Sequence, residues 1–302
     1  MSNDSPAPAL SPEQLVADLL ELLDVEDRGG DRFRGRRKKG GVGRVFGGQV
    51  IGQALAAAEL TVAADRPVHS LHAYFVRGGN EDYEIDFRVE RDLDGGSFSN
   101  RRIVASQQGQ TILNMLASFH KREPGVHHQD AMPDVPAPEA LENEVTLRRR
   151  AAEAAGRTFR EHVRQRPIEM RPVDPGRWVR EDAREAISHV WFRSAAPLPD
   201  DPKIHRAVLA YASDMTLLGT CTMPHEELSW PKGTLMSASL DHAIWYHDDF
   251  RADEWLLYTC DSPWAGRARG FNRGRIYTQD GRLVANVAQE GLIRQITPKP
   301  RT

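Results

Sequence analysis

Apolar positions along this chain follow two rhythms, one of about 3.6 residues and one of two, and their alternation sets its organisation. The segment 200–219, DDPKIHRAVLAYASDMTLLG, keeps the first rhythm, with Ile204, Ala207, Val208, Tyr211, Met215 and Leu218 on one side of a helix. Asp201 before Pro202 marks its start as an N-cap before N1, and Gly219 marks an exit through a left-handed residue. Asp214 falls at the border of the apolar stripe, where a carboxylate is half desolvated and its pKa raised, or is simply a solvated edge charge. Two more helices are predicted upstream. Ser11, Pro12 and Gln14 form a capping box ahead of LVADLLELLDVE, and Phe46-Gly47-Gly48-Gln49 opens VIGQALAAAELTVAA. The Gly and Ala residues of the latter allow very close packing and suit the groove of a curved sheet.

The period-two segments are strands. They are predicted over 68–78, 82–95, 97–109 and 110–121, then 168–173, 189–195, 234–247, 254–262, 268–281 and 282–294, with turns at Asp94-Gly95-Gly96, Gln108-Gly109 and Asp280-Gly281. A helix followed by a meander of antiparallel strands is an α+β unit. Residues 1–10 form a polar, Pro-rich tail expected to be disordered, and 121–140 form a Pro-rich linker leading to a charged helix that runs to about Arg166.

The unit occurs twice. Asn100, Arg101, Gln107, Gly109 and Asn114 recur 172 positions later as Asn272, Arg273, Gln279, Gly281 and Asn286. Ser70-Leu71 recurs at Ser239-Leu240, and Leu55-Ala56-x-Ala58 at Leu209-Ala210-x-Ala212. Two copies are therefore expected, each a helix wrapped by an antiparallel sheet: 11–125, a linker with a helix over 126–166, and 167–296.

Composition narrows the function classes. The 302 residues are 40% hydrophobic and 27% charged, with a net charge of −3. That balance gives no footprint for nucleic acid or a membrane surface, and no apolar run approaches a spanning helix. Two cysteines, Cys221 and Cys260, are too few for a disulfide framework, and the N-terminus is no signal peptide, so a cytoplasmic protein with buried thiols is expected. Eight basic residues lie among glycines from Arg28 to Arg44, forming either a solvated loop or a patch for an anionic ligand near a pocket mouth. His127-His128 lacks a third ligand at metal spacing, and neither a metal nor a cofactor is implied.

Differences between the copies point to chemistry. At the 172-residue offset Gln289 replaces Ala117, on a strand whose face otherwise carries Leu283, Ala285, Val287 and Ile293. A buried amide needs a polar partner, which the Asp214 carboxylate or an intervening water could supply, as could nearby backbone. Ser237, Ser239 and Asp241 share a face in the strand after the 202 helix, and the Ser239 hydroxyl can hold a water as donor and acceptor at once. Asp214, Ser239 and Gln289 thus offer a base, a positioning hydroxyl and an amide donor able to activate a water beside a carbonyl. Asp241 is the competing acid, taken as structural, and His72 and His242 are expected to be satisfied core histidines.

The motifs VFGGQVIGQAL (45–55), HSLHAYFVRGG (69–79), YASDMTLLG (211–219), SLDHAIWYH (239–247), SPWAGRARGF (262–271) and QDGRLVANVAQEGLIR (279–294) resemble the long-chain acyl-CoA thioesterase II family over nearly the whole chain. The resemblance implies a double hotdog fold, two antiparallel sheets each wrapped round a central helix and joined into one extended sheet, and pairing into a homo-oligomer. It also implies hydrolysis of an acyl-CoA thioester to a fatty acid and CoA by direct attack of an ordered water, with Asp214, Ser239 and Gln289 as the catalytic trio. The oxyanion donor is expected to be a backbone N–H near a helix end. The longer basic loop at 34–41 departs from the family pattern, and KPRT at the C-terminus is not a peroxisomal address. The rivals are an enoyl-CoA hydratase on the same fold, whose D-x-N-x-x-H pattern is absent, and a non-catalytic acyl-CoA-binding protein. The latter has no use for Gln289 on an apolar face.

Overall fold

The computed structural model describes residues 10–154, 156, 165–175, 183–230 and 232–297. The tail at 1–9, most of the charged helix beyond Ala154 and the KPRT terminus lie outside the described residues. In chain order the elements are α1 (Pro12–Leu23), β1 (Val25–Asp27), β2 (Arg32–Gly35), α2 (Gly47–Glu59), β3 (Val68–Phe75), β4 (Ile85–Asp94), β5 (Phe98–Gln107) and β6 (Gln110–His120). There follow α3 (Glu144–Ala154), β7 (Ile168–Pro172), β8 (Ile187–Ser194), α4 (Pro202–Ser213), β9 (Leu235–Ser239), β10 (Asp241–Tyr246), β11 (Leu256–Gly266), β12 (Arg269–Thr278) and β13 (Leu283–Gln295).

The strands form one antiparallel sheet in the order β1-β2-β4-β5-β6-β3-β10-β13-β12-β11-β8-β7, with β9 also pairing β13. The order reads alike from both ends, because β3 and β10 join two copies of one meander, Leu71 opposite Ile244 at the seam. The two hairpin turns counted in the sequence recur as well: Gly109 and Gly281 both adopt positive φ, at 74° and 90°. One face of the sheet carries Leu71, Phe87, Ile103, Met115, Tyr258, Ile276 and Val287, which enclose α2 and α4 in a single core.

Helices α2 and α4 approach unusually closely, and glycine is the reason. A Cβ on Gly48 would lie 2.3 Å from the Tyr211 carbonyl oxygen, and one on Gly52 would lie 3.3 Å from that of Ala207 and 2.8 Å from a Leu23 methyl. Gly48→Ala must therefore push backbone from backbone, whereas Gly52→Ala displaces chiefly a rotatable side chain. Gly48→Ala is expected to cost roughly 2–3 kcal/mol in urea unfolding and Gly52→Ala about 1 kcal/mol or less; equal costs would show that the helices are not in such contact.

Helix α4 departs from its sequence pattern. It ends at Ser213, Asp214 is its C-cap with φ −84°, and Gly219 lies within a 3-10 turn over Leu217–Thr222 instead of serving as a left-handed exit. The last turn is satisfied by side chains: Ser213 Oγ donates to the Ala210 carbonyl at 3.0 Å, and the Tyr258 hydroxyl donates to the Ser213 carbonyl at 3.0 Å. The Pro-rich segment after β6 is likewise more than a solvated connection. Met132, Val135 and Leu141 cover Trp191, Trp255, Leu257 and Tyr277 on the outer face of the sheet, and Trp191 Nε1 donates to the Pro136 carbonyl at 3.0 Å. Leu283 packs there too, because a register shift in the β12–β13 pairing breaks the alternation expected to place it beside Gln289.

Candidate active site

Asp214, Ser239 and Gln289 come from three elements and meet at one point. Gln289 Nε2 donates to Asp214 Oδ1 at 2.6 Å and approaches Ser239 Oγ at 3.1 Å, while Ser239 Oγ donates to the same Oδ1 at 3.3 Å. Of the partners considered for the buried amide, the carboxylate itself is the one in contact.

An irregularity in the strand after α4 makes the meeting possible. The sequence predicts one strand over 234–247, yet the chain breaks at Leu240. Ser239 pairs with Gly291 and Ala243 with Ala288, so one extra residue is accommodated between them. The bulge switches which parity of residue points inward: Ser239 faces the site before it, and His242, Ile244 and Tyr246 are buried after it. Asp241 consequently leaves the face it was expected to share with Ser239, and its Oδ1 accepts the Glu290 N–H at 2.6 Å, a structural role.

Asp214 is more deeply buried than a border position implies, its side chain 4% exposed. Burial pushes its carboxyl up to about 6, against the bonds from Gln289 and Ser239 and the Gly48 N–H, which hold it down. The contact with Gly48 shows what the sequence reading did not see. The first turn of α2 belongs to the other copy, yet a Cβ on Gly47 would lie 2.6 Å from Asp214 Oδ2. The positive end of α2 thus abuts the carboxylate, and the paired glycines of FGGQ were the available signal.

His242 is completely buried, with Nδ1 3.2 Å from Gln289 Nε2 and Nε2 2.8 Å from Ser213 Oγ. Burial drives its pKa down to about 3, so the ring is neutral. His72, expected in the core, is instead exposed and meets Trp245 edge to face. The side-chain amide oxygen of Gln289, Oε1, is buried without a hydrogen-bond partner among the described residues, a cost of about 1–3 kcal/mol.

The N-terminal copy carries no such group at the equivalent positions. At the helix offset of 154, Asp214 corresponds to Leu60, which caps α2 as Asp214 caps α4, and Ala117 stands where Gln289 does. The duplicated fold therefore holds one polar constellation.

Asp214 and Ser239 open onto a cleft of about 1120 Å³ whose walls include Phe46, Val50, Phe75, Met215 and Leu218, with Arg44 and Arg77 also lining it. Four of the loop's eight basic residues pair with carboxylates within the fold: Arg28 with Glu26, Arg34 with Asp86, and Arg36 and Lys39 with Glu21. Arg44 and Arg77 have no acidic partner among the described residues, the Arg77 guanidinium donating to the Thr111 carbonyl. No cluster of three metal-ligating side chains occurs among the described residues.

Comparison with known proteins bears on both halves of the chain. Residues 162–292 match the acyl-CoA thioesterase family and residues 36–120 the acyl-CoA thioesterase N-terminal domain. Acyl-coenzyme A thioesterase 8 of Homo sapiens is 41% identical over 93% of this chain and 89% of its own, and acyl-CoA thioesterase 2 of Haemophilus influenzae is 37% identical over 93% and 98%. Among solved structures, acyl-CoA thioesterase II TesB2 from Mycobacterium marinum superposes with a TM-score of 0.75 at 41% identity, covering 92% of this chain and 98% of that one. A hot dog fold protein from Alicyclobacillus acidocaldarius, 17% identical over 92% and 98%, superposes at 0.71 and speaks to the fold alone. Matched in both copies and along nearly its whole length, the chain belongs to the acyl-CoA thioesterase family, and it is a thioester hydrolase on a double hotdog fold.

Proposed function

We propose that the protein hydrolyses fatty acyl-CoA to a free fatty acid and CoA by direct attack of water, with Asp214 as general base and Ser239 and Gln289 orienting the nucleophile. The observation that carries this reading is a lone buried carboxylate, raised to about 6 and hydrogen-bonded by both partners, opening onto an apolar cleft. At neutral pH such a group is mostly ionised and still basic enough to accept a proton from attacking water. The water oxygen bonds to the carbonyl carbon, the proton passes to Asp214, and the tetrahedral intermediate expels the CoA thiolate. A thiol of ordinary pKa, about 8.5, is more basic than Asp214, so the proton moves on to sulfur and the carboxylate is restored.

The two copies divide the work in this reading. The C-terminal unit, 167–296, supplies the trio. The N-terminal unit, 11–125, supplies the first turn of α2, where the Gly47 N–H has no intrahelical acceptor and can stabilise the oxyanion. The apolar wall suits an acyl chain, and Arg44 and Arg77 suit the phosphates of CoA.

The main chemical rival is an acyl-enzyme on Ser239, whose hydroxyl already leans on Asp214. Acid-quenched turnover followed by intact-protein mass measurement separates them: no acyl adduct is expected, and one on Ser239 would overturn direct attack. In thiol-release assays kcat/KM is expected to fall about tenfold per pH unit below pH about 6, because Asp214 must be ionised to act; a profile flat to pH 5 contradicts the base assignment.

A further inference from the structure

A chain of hydrogen bonds behind the trio has a single consistent direction. Ser213 Oγ carries one hydrogen and donates it to the Ala210 carbonyl at 3.0 Å. Toward His242 Nε2, 2.8 Å away, it must therefore accept, which places the imidazole proton on Nε2. A neutral ring protonated there leaves Nδ1 a bare acceptor, so the Gln289 atom 3.2 Å from it is the amide nitrogen and not the oxygen. The same orientation points the other amide hydrogen at Asp214 Oδ1 at 2.6 Å. The reversed amide would set a carbonyl oxygen against the carboxylate. Apart from the Asp214 carboxylate itself, His242 is the group that fixes the amide this way: the amide oxygen has no partner among the described residues, and Ser239 can rotate to suit either orientation.

We infer that His242 is a positioning residue, which reads the α4 terminus through Ser213 and locks the Gln289 amide with its N–H groups toward Asp214. It is not a base in the reaction. Its contribution passes through Gln289: an amide held this way donates to the ionised carboxylate and keeps it charged, whereas a freed amide can turn away and leave Asp214 more protonated. Three groups bear on Asp214 in the direction of ionisation, Gln289, Ser239 and the Gly48 N–H, and no charged side chain is among its influences.

The inference rests on the role proposed for Asp214, and its test is chosen to be separable from that role. In His242→Leu, similar in volume but without an acceptor, kcat should fall about 10- to 100-fold with KM within about twofold, and the acid limb of the pH profile should move to higher pH. His242→Asn places Oδ1 where Nδ1 lies and should recover most of that loss. Ser213→Ala, which keeps the packing but frees the tautomer, should shift the acid limb in the same direction by less. Circular dichroism checks that each variant is folded, and if His242→Leu does not fold, Ser213→Ala and His242→Asn decide. An unmoved acid limb in Ser213→Ala and His242→Leu overturns the inference, as does equal impairment of the Leu and Asn variants, which marks a packing role alone. These outcomes leave the Asp214 assignment standing. That assignment is tested separately, by the activity of Asp214→Asn.

Discussion

Asp214→Asn is expected to lower kcat for acyl-CoA hydrolysis by about a thousandfold or more, with the protein folded and substrate binding retained, because the change removes the proton acceptor and little else. Asn can present its oxygen to Gln289 Nε2 and Ser239 Oγ, so the two bonds at 2.6 and 3.3 Å survive. What changes is charge. The folded-state pKa of about 6 lies above the ordinary 3.8, so the folded protein binds more protons than the unfolded chain between those values, and stability falls as pH rises through that window. Above pH 6 the ionised carboxylate therefore destabilises the fold by roughly 3 kcal/mol. The Asn variant should consequently unfold in urea at or above the wild-type midpoint at pH 8. Its advantage should shrink as pH falls through that window and vanish at about pH 3, where the wild-type carboxyl is protonated in both states. Thiol release at more than a tenth of the wild-type rate, or a midpoint clearly below wild type at pH 8, would falsify the account of Asp214 as a base kept at the expense of stability.

Which features were legible in the sequence follows from the distance over which each is determined. The duplication was readable because Asn100 and Asn272, Gly109 and Gly281, sit in hairpins whose geometry is local, and both glycines indeed adopt positive φ. The trio could be picked because Gln289 interrupts an apolar face in only one copy. The end of α4 could not be read, since the apolar spacing continues through Met215 and Leu218 while the group that closes the helix is the Tyr258 hydroxyl, 45 residues away. The bulge at Leu240 was hidden for a related reason: SASLDHAIWY alternates plausibly in either register, and only pairing with both β13 and β3 shows where the parity switches. The basic loop could be read either as a solvated loop or as a binding patch, because Asp18 and Glu21 on α1 and Asp86 on β4 lie far from it in sequence and beside it in the fold. Its one cleft-lining member, Arg44, could not be told from the other seven.

Cutting the ion pair between the two helices should have unequal effects depending on which partner is removed. Glu59 Oε1 accepts Arg206 Nε at 2.7 Å, with side chains 4% and 11% exposed, and the pair ties the end of α2 to the start of α4 across the two copies. Burial raises Glu59 to about 7 even though Arg206 pulls it down. Glu59→Ala leaves a guanidinium that cannot shed its proton in a nearly dry site, and should cost about 3–5 kcal/mol at pH 5, a cost that narrows toward pH 8.5 because ionisation of the raised Glu59 weakens the wild type as pH climbs from 4.5 to about 7. Arg206→Leu leaves a carboxyl that can take up a proton, so its cost should be smaller and pH-dependent. With Arg206 gone the folded-state pKa of Glu59 rises further above the ordinary 4.5, so the folded state binds the extra proton and stability falls as pH climbs from 4.5 through that raised value. Urea unfolding should therefore find Arg206→Leu close to wild type at pH 5 and clearly weaker at pH 8.5, while the deficit of Glu59→Ala is larger at pH 5 than at pH 8.5. Replacing both residues by Leu should recover much of the Glu59→Ala loss, since a packed apolar pair carries no stranded charge. Equal, pH-independent costs for the two single variants would mean that water reaches the pair and that neither group is stranded when its partner is lost.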